Sequence, residues 1–263
     1  MFSQGLLKGK RILITGGGTG LGKEIAARYL ELGAELWIAG RRGGVLEETA
    51  RELTGKFGGK VQTHPVDIRD AAAVERTLTG IAAKHGRLDI VISTPGINVR
   101  KKILDYQDEE LSRVLTLNIA GSFNVLRAAG RIMVAQQRGS IVLFSSIRSL
   151  VVEPGQSVYS ATKAAILQLV RGAACEWGPF GVRVNCVGPG VIETPLTAPI
   201  KANKDWYDAY AAKNAFNRWA TPEEMVGPTL FLASDAASYV TGTILYADGG
   251  WLAQDGRFTP PGM

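Results

Sequence analysis

The sequence predicts an α/β fold, a doubly wound parallel sheet of about seven strands with helices on both faces. Two observations carry this expectation: short apolar runs alternate with helical segments, and the inner runs are continuously apolar. Strands joined by crossover helices pair in parallel, and a strand buried on both faces reads as unbroken Val, Ile, Leu and Phe. In chain order the pattern places a strand over Arg11–Ile14, a helix over Gly20–Leu32 and a strand over Glu35–Ala39. A helix over Val45–Phe57, a strand over Val61–Val66 and a helix over Ala71–His85 follow. Next come a strand over Leu88–Ser93, one long helix over Glu109–Gln136 and a strand over Ser140–Ser145. The last regular pair is a helix over Ser157–Trp177 and a strand over Val182–Val187. Residues 190–220, rich in Pro, Asn and aromatics, read as an irregular segment with short helices, the make-up of a substrate lid. With no linker or repeat, residues 1–263 are expected to form one domain.

Composition narrows the classes. An apolar fraction of 46% and a charged fraction of 21% suit a globular core, and no apolar run reaches the roughly 18–20 residues of a membrane span. Met1 to Lys10 carries no leader-like apolar run, so a cytoplasmic protein is expected, with no membrane partner. Cys175 and Cys186 lie outside any CxxC pair, which predicts buried free thiols and no metal site. The net charge of +6 comes from scattered basic residues rather than a tract, so nucleic acid is not an expected partner.

Thr15-Gly16-Gly17-Gly18-Thr19-Gly20-Leu21-Gly22 stands between the first strand and its helix. There glycines let the backbone approach a pyrophosphate, and the helix N-terminus offers free N–H groups to the anion. The second strand ends in Gly40-Arg41-Arg42, with no carboxylate to chelate ribose hydroxyls before Glu47. Two guanidiniums suit a 2′-phosphate, so NADP(H) is expected ahead of NAD(H), which stays possible. Asp67, at the end of the third strand, is a candidate acceptor for the adenine amino group.

Tyr159 and Lys163 are four residues apart on one helix, hence on one face. A phenol titrates near ~10, but an ammonium ~5 Å away at an effective dielectric of ~20 would favour phenolate by roughly 3 kcal/mol, about two pKa units. Tyr159 is therefore the candidate acid–base. Ser146, at a strand end, is placed to bond a substrate oxygen, and Asn118 to hold a proton-relaying water.

In this order TGGGTGLG, Asp67, Asn118, Ser146, the YSATK segment and Pro189-Gly190 resemble the short-chain dehydrogenase/reductase family in its single-domain, Rossmann-type form. The likeness runs from Lys10 to about Trp251 and includes Arg183–Gly190 and Asp248-Gly249-Gly250. It implies a catalytic tetrad of Asn118, Ser146, Tyr159 and Lys163, with Lys163 on the nicotinamide ribose and Ile192 and Thr194 on the carboxamide. Carried over onto this chain, the dinucleotide site comprises Gly16, Gly18, Thr19, Gly20, Leu21, Gly22, Arg41, Arg42, Asp67, Ile68 and Gly96, with Asn118, Tyr159, Lys163, Pro189, Gly190, Ile192 and Thr194. One departure is that Ser93-Thr94-Pro95-Gly96 replaces the family's Asn-Asn-Ala-Gly, and Pro95 lacks a backbone donor. A small carbonyl or alcohol substrate and a homotetramer packed through Glu109–Gln136 and Ser157–Trp177 are further implications.

Ile97–Lys102 and Asp248–Trp251 are similar to the branch holding gluconate 5-dehydrogenases and other sugar and polyol dehydrogenases. Arg100 and Arg148 follow strand ends where such sheets bind ligands, and either is a candidate clamp for a substrate carboxylate; the bland alternative pairs them with Asp105 or Glu153. A 3-ketoacyl-carrier-protein reductase shares every catalytic residue and is the alternative. A non-catalytic NADP(H) sensor or scaffold would have no need of the Tyr/Lys pair.

Overall fold

The computed structural model describes residues 3–254, so the ends of the expected 1–263 domain, residues 1–2 and 255–263, lie outside the described residues. Seven strands form one parallel sheet: β1 (Arg11–Thr15), β2 (Glu35–Gly40), β3 (Val61–Pro65), β4 (Ile90–Ser93), β5 (Gly139–Phe144), β6 (Val182–Pro189) and β7 (Ile244–Ala247). Their order is β3-β2-β1-β4-β5-β6-β7, with Ile12 in register with both Leu36 and Ile90. The winding reverses between β1 and β4, and their carboxyl ends open the crevice where such sheets bind ligands.

Helices α1 (Gly20–Glu31), α2 (Gly43–Phe57) and α9 (Val226–Ala233) cover one face, and α3 (Ala71–His85), α5 (Ser122–Gln136) and α6 (Ser157–Trp177) the other. The strands supply both cores by strict alternation. Leu13, Trp37, Val91 and Ile141 face α3, α5 and α6, while Ile12, Ile14, Ile38 and Ile92 face α1, α2 and α9. These side chains are essentially fully buried, as continuous apolar strands require.

The expected helix over Glu109–Gln136 is not one α-helix. It divides into α4 (Asp108–Leu115), a π-helical turn over Thr116–Gly121, and α5. The π turn adds a residue to the helical ring, and it carries the buried Asn118. Residues 190–220 contain two short helices, α7 (Ala198–Lys201) and α8 (Lys204–Ala211). Here Tyr210, Trp219 and Trp251 pack with Ile147 and Ile200 into a third apolar cluster. Of the two thiols expected to be buried, only Cys186 is; Cys175 is exposed on α6, and both are free. Among the described residues no helix is long and apolar enough to cross a membrane.

Candidate active site

Three cavities open at the carboxyl edge of the sheet among the described residues, and two of them hold most of the expected site residues. The first, of about 460 Å³, runs over the ends of β1, β2 and β4. Its floor is the glycine loop. Gly16 has φ +77°, and a Cβ there would sit 2.4 Å from Thr94 Oγ1; a Cβ on Gly22 would sit 2.3 Å from the Gly16 carbonyl oxygen. Only glycine lets α1 start this close to the strand end. Thr49 Oγ1 donates to the Gly18 carbonyl at 3.0 Å and pins the loop from α2. The first turn of α1 holds no acid, and Thr19 makes no side-chain cap, so the helix N-terminus faces the groove with its N–H groups free. The loop therefore fits a pyrophosphate.

Of the expected dinucleotide residues, Gly16, Gly18, Thr19, Gly20 and Leu21 line this groove, together with Arg41, Arg42, Asp67, Ile68, Gly96 and Thr194. Gly22 is buried beneath it. Arg41 and Arg42 are exposed, and among the described residues neither enters an ion pair. Asp67 is already engaged: Arg69 grips its carboxylate at 2.6–3.0 Å and, with Arg41 nearby, holds it below the usual carboxylate range. The departure at Ser93-Thr94-Pro95-Gly96 brings side-chain bonds of its own. Thr94 Oγ1 donates to the Thr15 carbonyl at 3.0 Å, and Thr15 Oγ1 to Ser93 Oγ at 2.9 Å.

The second cavity, of about 280 Å³, adjoins the first and is floored by Ser146 and Tyr159, with Gly190 beside them. Ser145 Oγ donates to the Lys163 carbonyl at 2.8 Å, and Lys163 Nζ donates to the Phe144 carbonyl at 2.9 Å, so α6 is fastened to the end of β5 at both ends of one residue. Nζ lies 5.5 Å from the centre of the Tyr159 ring. Ser146 Oγ accepts from the Arg148 amide at 3.1 Å and caps the short 3-10 turn Ile147–Ser149. Asn118 is fully buried; its Oδ1 accepts from the Ile97 amide at 2.9 Å, and its Nδ2 donates to the Ile97 carbonyl at 2.9 Å and to Thr162 Oγ1 at 3.1 Å. Asn118 Oδ1 and Lys163 Nζ lie 3.7 and 3.3 Å from the point where a Gly96 Cβ would stand, so all three border one small space.

Electrostatics here differ from the sequence expectation. Burial pushes the Tyr159 phenol up to about 12, against the downward pull of the Ser146 hydroxyl, Arg148 and Arg100. Burial also brings the Lys163 ammonium down to about 8, with Cys186 opposing weakly. The expected drop of about two units from Lys163 is absent: burial dominates both groups, and the downward pull on the phenol comes from Ser146, Arg148 and Arg100 rather than from Lys163.

Gly190 lies where a Cβ would meet Asp248 Cα at 2.8 Å, which lets the end of β6 run close beside the end of β7. Pro189 closes β6, and Ile192 is buried, its carbonyl accepting from Thr197 Oγ1 at 2.6 Å. The same Thr197 hydroxyl accepts from the Thr194 amide at 2.9 Å, so one side chain shapes the whole loop. Arg100 and Arg148 both line the second cavity, and both bind Glu153, not Asp105. Trp206 and Tyr210 of α8 close the cavity from above. Sequence reasoning singled out neither aromatic nor Thr197; the only available signal was the aromatic richness of residues 190–220.

A parallel sheet with this winding, a glycine-floored groove and an adjoining cavity floored by Ser146 and Tyr159 define a nicotinamide-dependent oxidoreductase fold. The family model described as Enoyl-(Acyl carrier protein) reductase matches residues 16–252, and the chain belongs to the short-chain dehydrogenase/reductase family. It is 32% identical to a gluconate 5-dehydrogenase of Gluconobacter oxydans, over 93% of this chain and 95% of that one. It is 35% identical to a 3-oxoacyl-(acyl-carrier-protein) reductase of Chlamydia muridarum, over 93% and 98%. A solved gluconate 5-dehydrogenase from Burkholderia cenocepacia, in complex with NADP and tartrate, superposes with a TM-score of 0.91 at 30% identity, covering 94% of this chain and 97% of that one.

Proposed function

We propose that this protein interconverts a ketone and a secondary alcohol with NADP(H), acting on a sugar acid, polyol or related small carbonyl compound. The observation that carries the reading is the presence of Arg100 and Arg148 in the same cavity as Ser146 and Tyr159. A carboxylate held by a guanidinium would keep a neighbouring hydroxylated carbon over the phenol. Bound nicotinamide supplies or accepts the hydride. The Tyr159 phenol gives its proton to the carbonyl oxygen in reduction and, as phenolate, takes the hydroxyl proton in oxidation. Ser146 Oγ donates to the same oxygen. Lys163 holds the ribose and, through the space bordered by Gly96 and Asn118, passes protons to the phenol by way of water. The glycine loop from Gly16 to Gly22 takes the pyrophosphate, Asp67, Ile68 and Gly96 flank the adenosine, and Arg41 and Arg42 bind the 2′-phosphate. Pro189, Gly190, Ile192 and Thr194 hold the carboxamide end. Exposed Leu111, Leu115 and Phe123 on α4 and α5 support a homotetramer built on these helices.

A second reading, reduction of a 3-ketoacyl thioester on a carrier protein, is favoured by the identity to the Chlamydia enzyme. Turnover of the purified protein on sugar acids, polyols, ketoacyl thioesters and simple ketones, with NADP(H) and NAD(H), separates the two. Good thioester reduction without activity on any sugar acid or polyol would overturn the first reading.

A further inference from the structure

Three side chains from three separate segments meet on one carboxylate, that of Glu153. Arg100, in the loop after β4, donates from Nη1 to Glu153 Oε1 at 2.6 Å. Tyr210, on α8, donates its hydroxyl to the same oxygen and itself accepts from Arg100 Nη2 at 3.4 Å. Arg148, from the loop after β5, donates from Nη2 to Glu153 Oε2. Each guanidinium also lies over an indole, Arg100 over Trp206 at 4.8 Å and Arg148 over Trp251 at 5.5 Å. Arg148 and Tyr210 are buried, while Arg100 and Glu153 are partly exposed, so the cluster is partly withdrawn from water, where charge counts for more. Arg100 and Arg148 are the only ionised side chains among the residues lining the cavity, and Glu153 cancels one of the two positive charges.

We infer that Glu153 is a positioning residue with two effects: it pins the two arginines and the roof helix α8 around the substrate, and it leaves the cavity one net positive charge, matched to a monocarboxylate rather than a dianion. The inference rests on the sugar-acid reading above and narrows it to a class. A guanidinium fork presents five N–H donors, and Glu153 occupies one edge of each, so donors remain for one substrate carboxylate. A second anionic group in so small a cavity would lie near Glu153 without a compensating cation. Discrimination here comes from the repulsive element as well as the attractive one.

Two measurements on the intact protein test this. First, the NADPH complex, which cannot oxidise an alcohol, is titrated with gluconate and with glucarate, following the fluorescence of Trp206 and Trp251. Wild type is expected to bind gluconate at least tenfold more tightly than glucarate, and Glu153→Gln to shrink that ratio to within about threefold. Glu153→Asp keeps the charge and should retain the preference. Second, amide hydrogen exchange over Lys204–Ala211 is compared without any substrate. Glu153→Gln and Tyr210→Phe should both speed exchange in α8 several-fold, while Tyr210→Phe keeps the gluconate preference. A Glu153→Gln protein with both the ratio and the α8 exchange within twofold of wild type would overturn the inference. Failure of wild type to bind either anion refutes the sugar-acid reading and the charge matching with it; the exchange comparison then decides the pinning of α8 alone.

Discussion

Lys163 Nζ stands 5.5 Å from the centre of the Tyr159 ring while donating to the Phe144 carbonyl, so the cation is held beside the phenol by the sheet itself. The two groups are shifted in opposite senses, the phenol to about 12 and the ammonium to about 8.

Tyr159→Phe removes the hydroxyl proposed to exchange a proton with the substrate and leaves the dinucleotide groove intact. Turnover should fall below a tenth of wild type, with NADPH affinity within a few-fold by fluorescence titration. Lys163→Ala should lose both rate and cofactor affinity. A Tyr159→Phe enzyme above a tenth of wild-type rate would falsify the assignment.

The two directions should differ in pH dependence. Oxidation needs the phenolate, whose fraction grows with pH for a phenol raised above its ordinary value, so the oxidation rate should climb steadily from pH 6 to 9. Reduction uses the neutral phenol, which is fully populated in that range, so its rate should not rise. The Lys163 cation is complete below about 8 and is lost as pH passes through that value, which adds a decline in cofactor affinity above pH 8. Initial rates in both directions across this range decide the matter, and parallel profiles would contradict it.

Cofactor choice should respond to Gly40→Asp with Arg41→Ala. A Cβ at Gly40 meets nothing closer than Leu46 Cδ2 at 3.7 Å, an ordinary contact, so the added carboxylate costs little sterically. It repels a 2′-phosphate and accepts from ribose hydroxyls, and kcat/KM should swing toward NADH by at least tenfold. Wild type that already prefers NADH would reduce Arg41 to a turn residue.

Arg148→Ala and Arg100→Ala each remove a charge-assisted donor worth about 1.5–3 kcal/mol, or roughly ten- to a hundredfold. KM for an acidic substrate should rise by that factor, with a neutral polyol little changed. Equal losses on both would point to collapse around Glu153 instead.

Gly22→Ala tests the cradle through stability. Its Cβ would overlap the Gly16 carbonyl oxygen, a backbone atom with no room to retreat. Overpacking of this kind costs about 1–3 kcal/mol, so Tm should drop by roughly 2–10 °C alongside weakened NADPH binding.

The sheet was legible in the sequence because burial on both faces forces continuous apolar strands, as in Ile141–Phe144, while the polar edge strand Val61–Pro65 was legible from its place between two helices. The seventh, Ile244–Ala247, was not placed: it is apolar too, but it is an edge strand of only four residues, all partly buried, and is too short to stand out from its loop-rich surroundings. The π turn escaped for a related reason: one extra residue leaves composition and apolar spacing nearly unchanged, although it sets where Asn118 faces. The glycine loop and the Tyr/Lys pair are local in sequence, so their spacing reports their geometry. Trp206 and Tyr210 are neighbours on α8, but Glu153 is 57 residues before Tyr210 and meets it only after folding, and no spacing rule joins the two segments. Tyr159's upward shift was missed because distance alone was weighed, without the cost of burying both charges.

Because Lys163 is tied to the end of β5 through both its carbonyl and its ammonium, the Tyr159–Lys163 pair inherits its coordinates from the most buried part of the molecule. The residues that close over the substrate come instead from one stretch near the surface, with α7 and α8 resting on an aromatic cluster of their own. Chemistry and selectivity are thus inherited separately. A lineage, or an engineer, can therefore vary α7 and α8 to reshape one wall of the cavity without disturbing the ties that hold Lys163 to the sheet.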